Sequence, residues 1–434
     1  MLRVLPQRSA EVKTRGAADS EPGALLLRCL AGRRLETGDR RPKAIVWAGV
    51  VDAAIREHVA PLLFKRLKES GASDFVPADE WRQLRRAYFT NGDRNTRLFR
   101  ELRAVLDRLR SSGIPVIVLK GAYLAEAVYG DVALRSMCDV DLLVNQAELA
   151  KAESALLAMS TTPAEQYRPA PPTGETRPVN EEPDRGTGRH IQQIQIHNLT
   201  VELHWTITSE AGPFKIDARG LWQRARPAHV AGVEALALCP DDLILHLCLH
   251  VSQANWLAEL RSLCDLAEVI HRFGRDIDWA ALVERAREWG AERHVGLTLC
   301  LGGDLLGAEV PGEVLERLVP GGIDPHVLAA AKESVVTQTG YGPRLPSLFP
   351  SSAGSLGDEV RWFRSRVFLS RDEMAARYPA SRNSRHIYLY YLLRLRDALR
   401  AFPSYARILA RFMRAGFRRS RYASLSDWLG SGKS

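Results

Sequence analysis

Residues 116–144, VIVLKGAYLAEAVYGDVALRSMCDVDLLV, decide how this chain is read. The apolar run at 114–119 lies between Gly113-Ile114-Pro115 and Lys120-Gly121, which predicts a short buried strand. Residues 123–129 suit a short helix that Gly130 and Asp131 end. Residues 138–144 predict a second strand, carrying Asp139 and Asp141. Side chains two apart in a strand share a face, so both carboxylates project side by side. Like charges that close repel unless a cation sits between them. Paired oxygen ligands suit Mg²⁺, which is commonly held by one or two carboxylates together with substrate phosphates. The expectation is metal-dependent chemistry on a nucleotide, with Mg²⁺ as the cation and Mn²⁺ as the alternative. Two aspartates on a solvated strand are common without any metal, so the pair needs support from elsewhere.

That support comes from 199–208, LTVELHWTIT, a further predicted strand with Glu202 and His204 on one face. Glu202 supplies a third carboxylate, either as a ligand in an in-line phosphoryl displacement or as a base toward an attacking hydroxyl. His204 can orient a carboxylate or touch substrate. Lys120-Gly121 follows a strand and opens a helix. There glycine lets a phosphate approach the backbone, unpaired N–H groups are available, and Lys120 adds a point charge. A plain strand-to-helix turn with an exposed lysine explains the same pair. Arg135 stands four residues before Asp139, to face a triphosphate or to ion-pair with the aspartates.

The rest of the chain is mainly helical. Residues 23–35 and 42–70 have helical apolar spacing, with Ile45, Val46, Val50, Val59, Leu62, Leu63 and Leu67 on the stripe. Residues 80–111 form a longer charged helix with Leu84, Ala87, Tyr88, Leu98, Leu102, Val105, Leu106 and Leu109 on its buried side, and Gly113 and Pro115 stop it. A helix follows at 146–159. Residues 161–188, rich in Pro, Gly, Thr and Glu, predict a mobile insertion. IQQIQI, within 190–197, alternates as a strand. Beyond Gly212 the pattern reads as helical, including 240–260 (PDDLILHLCLHVSQANWLAEL) and RSLCDLAEVIHRF after it. His246 and His250 lie one turn apart but lack an HExxH glutamate, so they read as core or supporting histidines. Trp205 and Trp256 are read as buried aromatics before base-stacking ones. The expected organisation is a tail and helical arm (1–110), a strand-bearing core (111–235) with the insertion at 161–189, a helical domain (236–340), and a linker with a basic helical region (341–434).

Composition bounds the partners. The chain has 434 residues, 46% hydrophobic and 26% charged, and no apolar run long enough for a membrane span. Its six cysteines show no paired spacing, which argues against a zinc ribbon or a disulfide framework and for a cytoplasmic setting. The net charge is +9, yet residues 361–434 alone carry sixteen Arg and one Lys against Asp372, Glu373, Asp397 and Asp427. That region is therefore +13 and the remainder −4. Either the tail contacts a polyanion or it is a solvated Arg-rich helical surface.

Taken together, L-K-G, a helix, R-x-x-x-D-V-D-L-L-V, an insertion and V-E-L-H-W resemble the nucleotidyltransferase superfamily with its polymerase-β-like fold. The closest likeness is to a little-characterised bacterial group of nucleotidyltransferase-family proteins. It runs from the helix before GIPVIVLKG through DVDLLV and ELHW to LILHLCLH and the W-x-x-x-L-x-x-L-x-D-L segment, about residues 81–273. The resemblance implies an α+β fold, a mixed β-sheet with flanking helices, embedded in a mostly helical chain. It implies Asp139, Asp141 and Glu202 as metal ligands and catalytic residues, with Lys120, Gly121, Arg135 and His204 around the nucleotide. The implied reaction moves an NMP group from an NTP to a small-molecule, protein or nucleic-acid acceptor and releases pyrophosphate. The turn here is Gly121-Ala122 where the superfamily usually has Gly-Ser, and Gly121 stands further from Asp139 than usual. Both departures support a second reading, a degenerate module that binds a nucleotide or a partner without turnover.

Overall fold

A computed structural model of the chain describes residues 22–33, 44–160, 193–208, 213–253, 260–338 and 428–429. The tail at 1–21, the insertion at 161–189, Trp256 and all but Trp428 and Leu429 of the basic region lie outside the described residues. The chain divides into two compact units, residues 1–342 and 343–434, and the architecture below belongs to the first.

Helices α1 (Pro22–Leu30), α2 (Ala44–Arg56), α3 (Ala60–Glu69) and α4 (Ala78–Ser111) form the N-terminal arm. Helix α4 is 34 residues long, with Asp79 and Glu80 in its first turn and Arg108 and Arg110 in its last, each sign favoured by the helix dipole at that end. Gly113, at φ 69°, terminates it in the left-handed conformation that suits glycine after a helix. Its C-terminal half buries Leu98, Leu102, Val105, Leu106 and Leu109 against the sheet. Ile45, expected on the buried stripe of α2, is instead 77% exposed.

The sheet has six strands in the order β3-β4-β2-β1-β6-β5. Strand β1 (Ile117–Val118) pairs antiparallel with β2 (Asp139–Leu143) and parallel with β6 (Val233–Ala237). Strand β2 runs parallel to β4 (Leu199–His204), which pairs antiparallel with β3 (Ile194–Ile196). Between β1 and β2 lies α5 (Lys120–Tyr123), continued by a π-helical turn at Leu124–Val128. Helix α6 (Leu149–Leu157) follows β2 and packs with α4, β3 and β4. Strict period-two alternation sorts the faces. Val140, Leu142, Val144, Val201 and Leu203 enter the core beneath α4 and α6, which turns Asp139, Asp141, Glu202 and His204 to the opposite face.

The region beyond Gly212 is not uniformly helical as its pattern suggested. After α7 (Ala218–Arg224) comes a hairpin, β5 (Arg226–Val230) with β6. Its two-residue turn, Ala231-Gly232, has φ of 54° and 74°, the paired positive angles of a type I′ turn. Pro227 and Ala-rich β6 weaken the strand signal, and only sheet pairing fixes the segment as β. The remaining helices, α8 (Pro240–Gln253), α9 (Leu260–Phe273), α10 (Trp279–Glu288), α11 (Glu292–Leu306), α12 (Gly312–Leu318) and α13 (Pro325–Gln338), form a layer in which α8, α9 and α11 contact one another. Among the described residues no helix is long and apolar enough to cross a membrane.

Candidate active site

The parallel ladder places Asp141 opposite Glu202, Asp139 opposite Thr200 and Leu143 opposite His204. Asp141 and Glu202 are thereby cross-strand neighbours on the same face, although an insertion separates them in sequence. His204, two residues along β4, reaches back diagonally. Its Nε2 lies 2.8 Å from Asp141 Oδ1 and 3.5 Å from Glu202 Oε2. One ligand atom from each of Asp141, Glu202 and His204 falls within 4.8 Å of the other two. Gln193, just before β3, donates from Nε2 to Glu202 Oε1 at 2.5 Å and fixes that carboxylate from the outer side.

Lys120 sits at the start of α5 with φ of 32°, a left-handed angle that is costly for a residue with a Cβ. Its Nζ lies 3.2 Å from Asp141 Oδ2. Asp141 thus has a cationic group on one oxygen and the His204 ring nitrogen on the other. Burial pushes its pKa up, but Lys120, the His204 hydrogen bond and the histidine charges of His204 and His250 outweigh that and hold it well below the carboxylate range. Asp139 behaves oppositely. Burial raises its pKa, and the charges of Asp141 and Glu202 raise it further against partial relief from Lys120 and Arg135. Crowding of this kind is what a divalent cation relieves, so the donor set fits one.

Arg135 is 8% exposed and ion-paired to Asp265 on α9, not to the site aspartates. Nη2 donates to Asp265 Oδ2 at 2.8 Å, and Nε lies 3.3 Å from both carboxylate oxygens. Tyr129 donates its hydroxyl to Asp265 Oδ1 at 2.8 Å. Burial alone would lower the pKa of Arg135, but the charge and hydrogen bonds of Asp265 outweigh that and raise it. The guanidinium lies against the Lys120-Gly121 turn: a Cβ at Gly121 would come within 2.9 Å of Arg135 Nη1 and 3.3 Å of Met137 Sδ. Glycine at 121 is therefore demanded by what packs behind the turn, a reason not visible in the local sequence.

The loop that delivers Arg135 and β2 is gripped by α4. Tyr88 donates to Asp131 Oδ2 at 2.7 Å, Asn91 to the Ala133 carbonyl at 2.7 Å, and Asn95 to the Val132 and Arg135 carbonyls at 2.6 and 2.8 Å. Gly92 lets Ala133 approach, since a Cβ there would meet Ala133 Cβ at 3.1 Å. Arg261 on α9 donates to the Ser136 carbonyl at 3.2 Å. Asp265 and this asparagine pair are the functional residues that local reading missed. The asparagines interrupt an otherwise apolar stripe at helical spacing, and Asp265 stands in the L-x-D-L stretch among apolar neighbours, which were the available signals.

His246 and His250 lie on α8 with ring centroids 6.4 Å apart. His246 is buried, while His250 lies near enough to the site to pull on Asp141. Trp205 is half-buried and packs against the main core cluster.

A sequence model of a protein family described as "Uncharacterised nucleotidyltransferase" matches residues 43–307. That span holds the arm from α2 onward, the whole sheet, and α8 to α11. No curated protein and no solved structure matches the chain.

Proposed function

The chain belongs to this uncharacterised nucleotidyltransferase family, and from that membership we propose that it transfers a nucleoside monophosphate from an NTP to an acceptor nucleophile. The observation that carries the reading is the pairing of Asp141 with Glu202 across β2 and β4, with Asp139 on the same face. A divalent cation bound there supplies charge neutralisation for the triphosphate and polarises the α-phosphate. Asp141 and Glu202 would hold it, with Asp139 beside them on the same face. The triphosphate lies along the Lys120-Gly121 turn, where Lys120 leaves Asp141 to meet phosphate oxygens. Arg135, held in place by Asp265 behind Gly121, adds positive potential to the turn. His204 keeps Asp141 oriented.

The acceptor's nucleophilic atom attacks the α-phosphorus. The bond from that phosphorus to the oxygen bridging to the β-phosphate breaks, and pyrophosphate departs with the electron pair. Asp139, on the same strand face, takes the proton that the acceptor loses.

The test uses purified protein, each NTP labelled at the α-phosphate, Mg²⁺ or Mn²⁺, and cell extract as the source of acceptor. Wild type is expected to label an acceptor and release pyrophosphate, and the double variant Asp139→Asn/Asp141→Asn is not. Equal labelling by both proteins overturns the reading. NTP binding by calorimetry with no transfer under any condition replaces it with a nucleotide-binding module, which the Gly121-Ala122 turn favours.

A further inference from the structure

The donor atoms at the acidic site are not all oxygens. His204 Nε2 faces Asp141 Oδ1 at 2.8 Å and Glu202 Oε2 at 3.5 Å. An imidazole nitrogen carries at most one hydrogen, so by hydrogen bonding it serves mainly one carboxylate at a time. Coordination accounts for both. With metal–ligand bonds of about 2.0–2.2 Å, two donors on one ion stand about 3.0–3.5 Å apart in octahedral or tetrahedral arrangements. The two separations made by His204 bracket that range, and the full set of three closes within 4.8 Å.

Burial strengthens the case. His204 is 3% and Asp141 5% exposed, so these two donors interact more strongly than they would in open solvent. Glu202 is anchored by Gln193 at 2.5 Å, the kind of outer hydrogen bond that aims a ligating carboxylate. Asp139 stands outside this compact set. Resting on the reading of the site given above, we propose that His204 is a direct metal ligand and that the site is built for a borderline first-row transition ion in preference to Mg²⁺. The chemistry behind the choice is ligand softness: imidazole suits ions such as Fe²⁺, Co²⁺ and Zn²⁺, whereas Mg²⁺ favours all-oxygen shells. A one-nitrogen, two-carboxylate set therefore discriminates where three carboxylates would not.

The test measures metal binding to the full chain without nucleotide, so it does not depend on transfer activity. Co²⁺ is titrated by its visible absorption and by calorimetry, and Mg²⁺ by calorimetry and by competition. Wild type is expected to bind Co²⁺ at least about 100-fold more tightly than Mg²⁺. His204→Gln is expected to lose about 10-fold or more in Co²⁺ affinity while Mg²⁺ affinity stays within about threefold. Pulsed EPR of the Mn²⁺-loaded wild type is expected to show nitrogen coupling from a directly bound ring, absent in His204→Gln. Equal losses for both metals in the variant would mean that His204 acts only by orienting Asp141, and would overturn the proposal. Absence of nitrogen coupling in wild type overturns it too, even if the variant folds poorly. Nitrogen ligation in a protein that transfers no nucleotide would retire the catalytic reading and leave this one standing.

Discussion

The guanidinium of Arg135, buried and held by Asp265, occupies the space that a side chain at Gly121 would need. A methyl group at 121 would lie 2.9 Å from Nη1, and the usual escape, rotation of a flexible side chain, is closed because Asp265 holds the other nitrogens. Met137 blocks the remaining side. Gly121→Ala is therefore expected to destabilise the fold by about 1–3 kcal/mol, the usual range for overpacking. It should also raise the KM for NTP more than it lowers kcat, since the turn shifts and the acids do not. Unfolding curves and NTP kinetics check this, and an unchanged unfolding midpoint would refute it.

Asp265 and Arg135 are a buried pair with 1% and 8% side-chain exposure. Removing one partner leaves the other charge stranded, which costs about 3–5 kcal/mol. Asp265→Asn is expected to reach that range, with Tyr129 losing its charged acceptor as well. Replacing both, Arg135→Met with Asp265→Leu, should cost clearly less than the sum of the single changes. It should nevertheless weaken NTP binding, because the charge behind Gly121 is gone. Additive single and double effects in denaturant unfolding would contradict the account.

Asn95 offers a test of the grip that α4 exerts on the 131–135 loop. Its side-chain nitrogen serves two carbonyls, those of Val132 and Arg135, at a fully buried position. Asn95→Ala strands both acceptors at about 1–3 kcal/mol. Asn95→Asp removes the donor and buries a carboxylate beside carbonyls, so it should be worse. If the loop matters chiefly for positioning Arg135, NTP affinity falls in both variants while cation affinity at Asp141 is retained. Measuring both ligands on one preparation separates positioning from general loosening.

These relationships show what was legible in the amino-acid sequence. The alternation in DVDLLV and VELHW sorts acid from core without any tertiary knowledge, since strand periodicity alone does so. The helical surroundings follow from the order of patterns, whereas the mixed sheet was implied by the family resemblance. The register that sets Asp141 beside Glu202 is different, because a long stretch of chain intervenes and a slip of one residue would face Glu202 the other way. Asp265 was out of reach for a related reason: its partner Arg135 lies 130 positions away, and nothing local says that a helix in the later layer reaches the turn. The hairpin at β5 and β6 was missed because Pro227 and the alanines suppress the strand signal that pairing supplies.

Asp139 and Asp141 share a strand face yet titrate in opposite directions, which yields a prediction with a fixed sign. The pKa of Asp141 is depressed, so its contribution to stability is present above the unfolded value of about 3.9 and lost as pH falls through the depressed folded value. That of Asp139 is raised, so its contribution is present below about 3.9 and lost as pH rises through the raised folded value. At pH 7 the free protein therefore gains from the charge on Asp141 and pays for the charge on Asp139. Asp141→Asn should lower the unfolding temperature at pH 7, at about 1–3 kcal/mol for the lost pairing with Lys120 and His204. Asp139→Asn should raise it, and the gain should vanish near pH 3, where wild type is protonated there as well. Saturating divalent cation is expected to stabilise wild type and erase the advantage of Asp139→Asn, because the cation removes the repulsion that the substitution relieved. Scanning calorimetry at pH 7 and pH 3, with and without the cation, reads all four corners. If the two variants shift in the same direction at pH 7 without cation, the crowding of Asp139 by Asp141 and Glu202 is not what governs the site.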